Sequence, residues 1–499
     1  MISAIARLGI TLVSVTALTA CSSGGGGGGG GGGDGGGGGN PPPSRNAQTI
    51  VYSAGDGLST NGVTELYSVD DDGNGRTMLS ADTALDTTSI QDLAVSPDGL
   101  WVAYVSNIRS PGETDLYVSA INGGTPVRVS RTKPILGGRI QSFDWSPDSS
   151  QLVYAANVGH SRLPDMATNE VFVVNRDGSN DTKINGAIGN PAVVEVRNPQ
   201  WSPDGRYILQ EVAAFNSANG ASNVANALNV HDTTVGGFSS VRVVTAYNTL
   251  RNVHWSPMSD RLSFSADLLG PSRYHVFTSE PFGTGMTKVS DNGDFNSDSR
   301  WSPDGSTLAY LDHPSLPFPG DLVVSGASPG SPDTVLAFVT PDGKQVYDYA
   351  WSPDGSKIAF TSDLDTPRVR ELYVINADGT GNPVKISGPL IATGDVFDFA
   401  WSPNGNSIAY LADQDTDTFI DLYVSSANGG NNTSISMGLN GEEVTDFDWS
   451  DDSQRIAFST GPEGRNPLSN KLYVSQPNGS GRREITPAMT SGPLIFEYN

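Results

Sequence analysis

One cysteine, Cys21, stands in the whole 499-residue chain, so no disulfide can form within it and the fold must rest on packing alone. Cations are scarce as well. Against 54 Asp plus Glu there are 29 Lys plus Arg, a net charge of −25, and nucleic acid, which needs clustered cations for its phosphates, is excluded as a partner. The five histidines, His160, His231, His254, His275 and His313, show no paired metal-ligand spacing. Gly-x-Ser-x-Gly occurs once, as Gly326-Ala327-Ser328-Pro329-Gly330, but no α/β pattern accompanies it, which argues against a hydrolase built on that turn. Long apolar runs are missing too: the longest, Leu8 to Ala20, is too short to span a bilayer.

That short run follows Arg7 and reads as a cleaved secretion signal. Leu18-Thr19-Ala20-Cys21 closes it and resembles the bacterial lipobox, which implies a lipid on Cys21. Ser22, where Asp would favour retention at the inner membrane, implies the outer membrane. Residues 24 to 39 are glycine apart from Asp34, and three prolines follow Asn40. Glycine buries no side chain and loses the most backbone entropy on ordering, so this stretch is a flexible tether. The division expected is signal over 1–20, lipidated cysteine and tether over 21–47, and one folded domain over 48–499, with the membrane reached only through the anchor.

The folded part is written in repeats. Trp-Ser-Pro-Asp-Gly or a near copy starts at Val95, Trp145, Trp201, Trp255, Trp301, Trp351, Trp401 and Trp449. Residues 348 to 387 show the unit. Asp348 to Ser352 is a first strand, and Ser352-Pro353-Asp354-Gly355 carries the residues that a type I turn favours. Lys357 to Thr361 alternates as a second strand, Glu371 to Ile375 is a third, and Asn376-Ala377-Asp378-Gly379 turns into a fourth at Val384 to Ser387. Four antiparallel strands per repeat predict an all-β fold, a β-propeller of four-stranded blades.

These motifs resemble the WD40-like PD40 repeat of the TolB propeller, over nearly everything from Gln48 to Asn499. The resemblance implies the fold. TolB-type proteins place a small α/β domain before the propeller, whereas here strand pattern begins by Thr49, so the envelope-complex role is not carried over from it. Residues 49 to 80 read as second, third and fourth strands without a first, and Pro493 to Tyr498 is a spare strand. Together they make a ninth blade that closes the ring and removes exposed edges. Eight blades with a peripheral N-terminal segment is the alternative.

Function is expected on loops that vary over a rigid scaffold: 157 to 169, 211 to 227, 312 to 320 and 413 to 421. Three residues before each motif start stand Asp92, Ser142, Asn198, Asn252, Asp298, Asp348, Asp398 and Asp446. Asp92, Asp298, Asp348, Asp398 and Asp446 form a candidate ligand-binding ring at one mouth of the channel. They could instead cap main-chain N–H groups of their own connections, as Asp, Asn and Ser do well. No metal or cofactor is expected, with calcium as a possibility at two places. Asp70, Asp72, Asn74 and Gly75 match the opening of a calcium loop, although Ala81 stands where its last glutamate belongs. Asp413, Asp415 and Asp417 are the other acidic cluster. The reading is a monomeric, non-catalytic binding or scaffold module for an envelope protein or glycan, with a propeller-based polysaccharide lyase or glycosidase as the alternative.

Overall fold

The repeated turn folds as its residues require. In the computed structural model, Gly355 N–H donates to Ser352 O at 2.9 Å, Ser352 Oγ donates to Asp354 Oδ1 at 2.6 Å, and Lys357 N–H donates to Ser352 Oγ at 2.9 Å. Gly355 sits at φ 71°, where a side chain would be strained. Ser149, Ser259 and Ser453 hold the same left-handed conformation at φ 59°, 60° and 61°. Each hydroxyl accepts a main-chain N–H from the turn of the preceding repeat, those of Asp98, Asp204 and Asn404, at 2.9–3.0 Å. The bond between neighbouring turns offsets the strain.

The structure describes residues 48–55, 64–80, 89–108, 113–130, 138–160, 163–184, 192–216, 224–235, 240–246, 250–270, 273–290, 297–312, 320–328, 331, 333–337, 344–439, 441–462, 471–486 and 496–498. The expected signal, Cys21 and the tether lie outside these. Nine four-stranded antiparallel sheets form the blades of a β-propeller. Blades one to eight run over residues 90–128, 140–183, 192–246, 250–288, 297–337, 346–385, 396–434 and 442–484, and each orders its strands as they occur in the chain. Blade nine joins Thr49–Gly55, Thr64–Asp70 and Thr77–Met78 to Phe496–Tyr498. Ile50 pairs with Tyr498 and Tyr52 with Phe496. The closing strand also touches the first strands of blades one and eight, so the ring is shut.

Packing follows from the repeated words Ile-Ala-Phe/Tyr and Leu-Tyr-Val. Their aromatic residues lie directly opposite each other on second and third strands, and the rings stack: Tyr104 on Tyr117, Phe360 on Tyr373, Tyr410 on Tyr423 and Phe458 on Tyr473, with centroids 5.4–5.5 Å apart. Each such pair contributes about 0.5–1.5 kcal/mol beyond its buried area. Between blades the motif tryptophan fills the wedge. Trp145 packs with Val105, Leu116 and Val118 of the preceding blade, and its Nε1 donates to Ala94 O at 3.0 Å. Trp351, Trp401 and Trp449 repeat that bond at 3.1, 3.2 and 3.3 Å.

Two of the expected loops are strand instead. Gln151–His160 with Leu163–Asn175, and Tyr207–Asn216 with Val224–Asp232, continue as paired strands into the stretches read as variable connections, of which 161–162, 217–223 and, in the third loop, 313–319 lie outside the described residues. Their Asn- and Ala-rich composition has little strand propensity of its own; pairing across the hairpin overrides it.

Candidate functional site

First strands line the propeller axis: those of blades two and three and of blades four and five touch one another, and the closing strand of blade nine touches those of blades one and eight. In blades one to eight the first strand is bulged near the residue three before the motif start. The alternation therefore slips. Buried Leu93, Phe399 and Phe447 keep their place in the core, while Asp92, Asp398 and Asp446 remain on the accessible side.

All five candidate carboxylates lie at this axial position. Asp92, Asp348, Asp398 and Asp446 each accept the N–H of the next residue, Leu93, Tyr349, Phe399 and Phe447, at 2.8–3.0 Å. The capping role that Asp plays well is thus in use at four of them. Asp298 differs. Together with Asn198 and Asn252 it adopts a left-handed backbone, at φ 55°, 47° and 51°, and in blades three to five two residues drop out of the ladder at this point. The same three blades leave the buried Nε1 of Trp201, Trp255 and Trp301 without a partner, so the distorted bulge and the lost inter-blade bond go together. Arg300 joins two of the candidates, its Nη2 donating to Asp298 at 2.9 Å and to Asp348 at 2.8 Å. Its other Nη donates to Tyr349 O, and Tyr349 Oη donates to Asp298 O.

A second axial ring stands one residue before the motif start, and its varied residue types hide it in the sequence: Asp144, His254, Arg300 and Asp448, with Glu497 at the matching place of the closing strand, one before Tyr498. Its carboxylates bond the next blade. Asp144 accepts Trp201 N–H at 2.8 Å, Asp448 accepts Tyr498 N–H at 3.1 Å, and Glu497 accepts Val95 N–H at 2.7 Å. Burial pushes the Asp144 carboxyl up to about 6. Burial, with Asp448 and Asp92 nearby, pushes Glu497 up to about 8. Asp92 is reached by solvent yet hemmed by protein at the axis, and that desolvation raises its carboxyl too. Burial lowers His254 below its ordinary value, which keeps it neutral. The turn aspartates go the other way. Hydrogen bonds from Ser302 to Asp304 and from Ser352 to Asp354 lower those two carboxyls.

Neither acidic cluster converges on a point. Asp72 takes the N–H and side-chain amide of Asn74, both at 2.9 Å, inside a hairpin turn closed by Gly73 N–H on Asp70 O. Asp413 accepts Asp395 N–H, Asp415 accepts Tyr423 Oη–H at 3.0 Å, and Asp417 accepts the Thr393 hydroxyl at 2.9 Å. Among the described residues no group of three or more His, Cys, Asp or Glu is placed to hold a metal ion. His313 and the side chain of His160 fall outside the description.

No protein-family model matches the chain. An uncharacterized protein of Agrobacterium fabrum is 26% identical over 242 residues, 46% of this chain and 72% of that protein. A eukaryotic initiation factor, 12% identical, superposes with a TM-score of 0.58 over 91% of this chain and 98% of its own. TolB from Acinetobacter baumannii is another structural neighbour, 17% identical, with a TM-score of 0.30 over 59% of this chain and 65% of its own. The initiation factor shows the propeller fold, which hosts unrelated functions.

Proposed function

We propose that this propeller is a non-catalytic binding or scaffold module for an envelope protein or glycan, monomeric and tethered through a lipid on Cys21 to the bacterial outer membrane. The observation that supports this best is the state of the axial carboxylates. Asp92, Asp348, Asp398 and Asp446 are each fixed by the N–H of the following residue. That bond orients each carboxylate without burying it, since all four stay on the accessible side of the first strands where a ligand can meet them. Acid–base catalysis asks for two carboxyls with unequal proton affinity facing one substrate atom. The test is a crosslinked pull-down from intact envelopes, with proteins identified by mass spectrometry and glycan by sugar analysis. Enrichment of one protein or glycan that Asp348→Asn with Asp398→Asn abolishes supports the reading, and enrichment indifferent to those changes removes the mouth from it.

A second reading, an enzyme acting on polysaccharide, draws on Glu497. A carboxyl held at about 8 keeps its proton at neutral pH beside Asp448 and Asp92, as a general acid must. Turnover of any member of a glycan panel that Glu497→Gln abolishes would favour it, and absence of turnover would leave it without support.

A further inference from the structure

Half of the exposed large apolar side chains among the described residues lie on one face of blades three and four. Met258 is 68% exposed, Val235 50%, Val241 42%, Met286 38% and Phe282 37%. All five stand in or beside the short turns joining first to second or third to fourth strands, the face opposite the variable connections. At two of these five places the other repeats carry polar residues. Where Met258 stands, they have Asp98, Asp148, Asp204, Asp304, Asp354, Asn404 and Asp452; where Phe282 stands, Asp72, Asn122, Asp177, Asp378, Asn428 and Asn478. The turn does not need Met258 for its own structure, because Asp260 takes over the bond to the Ser256 hydroxyl at 2.7 Å.

The patch is also anchored. Phe282 meets Tyr207 edge to face, with centroids 5.5 Å apart at 87°, and Tyr207 stacks on Trp255 at 5.9 Å. The turn of blade four lies against the outer strand of blade three, where a Cβ on Gly283 would come within 2.8 Å of Val243 O. A rigid apolar surface centred on Met258 and Phe282, where sister repeats place Asp or Asn, marks an interaction site. Its border is acidic. Asp204, Asp260, Glu280 and Asp304 are exposed around it and outnumber the exposed cations there, Arg242 and Arg206, the second of which is engaged by Asp232 at 3.1 Å.

We infer that the turn face of blades three and four docks an amphipathic segment of a protein partner, apolar on one side and basic along its edges. The apolar residues call for an apolar stripe, and the acidic border calls for Lys or Arg on either side of it. The site is independent of the axial mouth and stands whether or not that mouth binds a ligand.

The experiment uses the full chain and two synthetic helix-forming probes, one of Leu and Lys at amphipathic spacing and one of Leu and Glu. Met258→Asp with Phe282→Asp restores what the sister repeats carry and so preserves the turns; Met286→Asn with Val241→Thr is the second variant, and circular dichroism checks the folding of both. The Leu/Lys probe is expected to bind the unchanged protein about tenfold more tightly than either variant. Charge attraction alone predicts the opposite for the first variant, which gains two negative charges. Equal or tighter binding by the variants, or equal binding of the Leu/Glu probe, overturns the inference. Self-association that the variants abolish would assign the patch to a second copy, and binding to phosphatidylcholine vesicles that they abolish would assign it to a lipid surface; either result overturns the stated occupant.

Discussion

Arg300 of blade five and Asp348 of blade six meet at 2.8 Å on the propeller axis, and the same nitrogen reaches Asp298 at 2.9 Å. One guanidinium thus separates two carboxylates from neighbouring blades. Both Arg300 and Asp348 are partly open to solvent, which screens the pair.

Removing the arginine should therefore cost more than neutralising one partner. Arg300→Ala leaves Asp298 and Asp348 facing each other without a cation between them, for a loss of about 1–2 kcal/mol, while Asp348→Asn should cost less than about 1 kcal/mol. Thermal unfolding at low and high salt checks this, with the gap between the two narrowing as salt rises. A larger loss for Asp348→Asn would contradict the bridge.

The motif tryptophans should separate into two groups. Trp401→Phe removes a bonded indole N–H, whereas Trp301→Phe removes a buried one that has no partner. The first change should be about 1 kcal/mol more destabilising than the second, measured as the difference in unfolding midpoint at matched folded baselines.

Glu497 gives stability a definite slope with pH. Its carboxyl is held at about 8 in the folded protein against an ordinary value of 4.5. A raised carboxyl binds its proton more tightly when folded, so its contribution is complete below about 4.5 and is lost as pH rises through about 8. Wild-type protein should lose on the order of 2–4 kcal/mol between pH 5 and pH 9 from this group. Glu497→Gln, which stays neutral throughout, should flatten the profile. Identical profiles would mean that Glu497 is ionised in the fold at neutral pH.

Closure of the ring depends on a very short strand. Tyr498 is buried and its hydroxyl donates to Asp71 at 3.1 Å, while its N–H reaches Asp448. Tyr498→Ala should destabilise by about 3–4 kcal/mol. Deleting residues 496–498 exposes the edge of Thr49–Gly55, and concentration-dependent aggregation in light scattering is the expected result.

Blade number and strand order were legible because each copy writes the same turn and the same paired aromatics, and because residues 49 to 80 lack the one strand that Phe496–Tyr498 supplies. The second axial ring was not legible. Asp144, His254, Arg300, Asp448 and Glu497 share a position but not a residue type, and a repeat is recognised by what stays constant. A weaker signal was present for the distorted bulges, since Asn198 and Asn252 are the residue type most tolerant of a left-handed backbone after glycine. The apolar patch escaped notice for a related reason. Met258 and Phe282 each depart from the turn pattern in a single repeat, and only their exposure on one face joins them into a surface.

The seam between Thr49–Gly55 and Phe496–Tyr498 also fixes an order of events. Every other sheet pairs strands that follow one another in the chain, so each blade can fold as soon as its own residues emerge from the ribosome. Blade nine begins with the earliest strand of the ring and waits for the latest. Its pairing carries by far the largest sequence separation in the fold, and contacts of that kind form slowly. Until it forms, the growing chain is an open arc with an unsealed edge at each end, and Phe496–Tyr498 convert that arc into a circle.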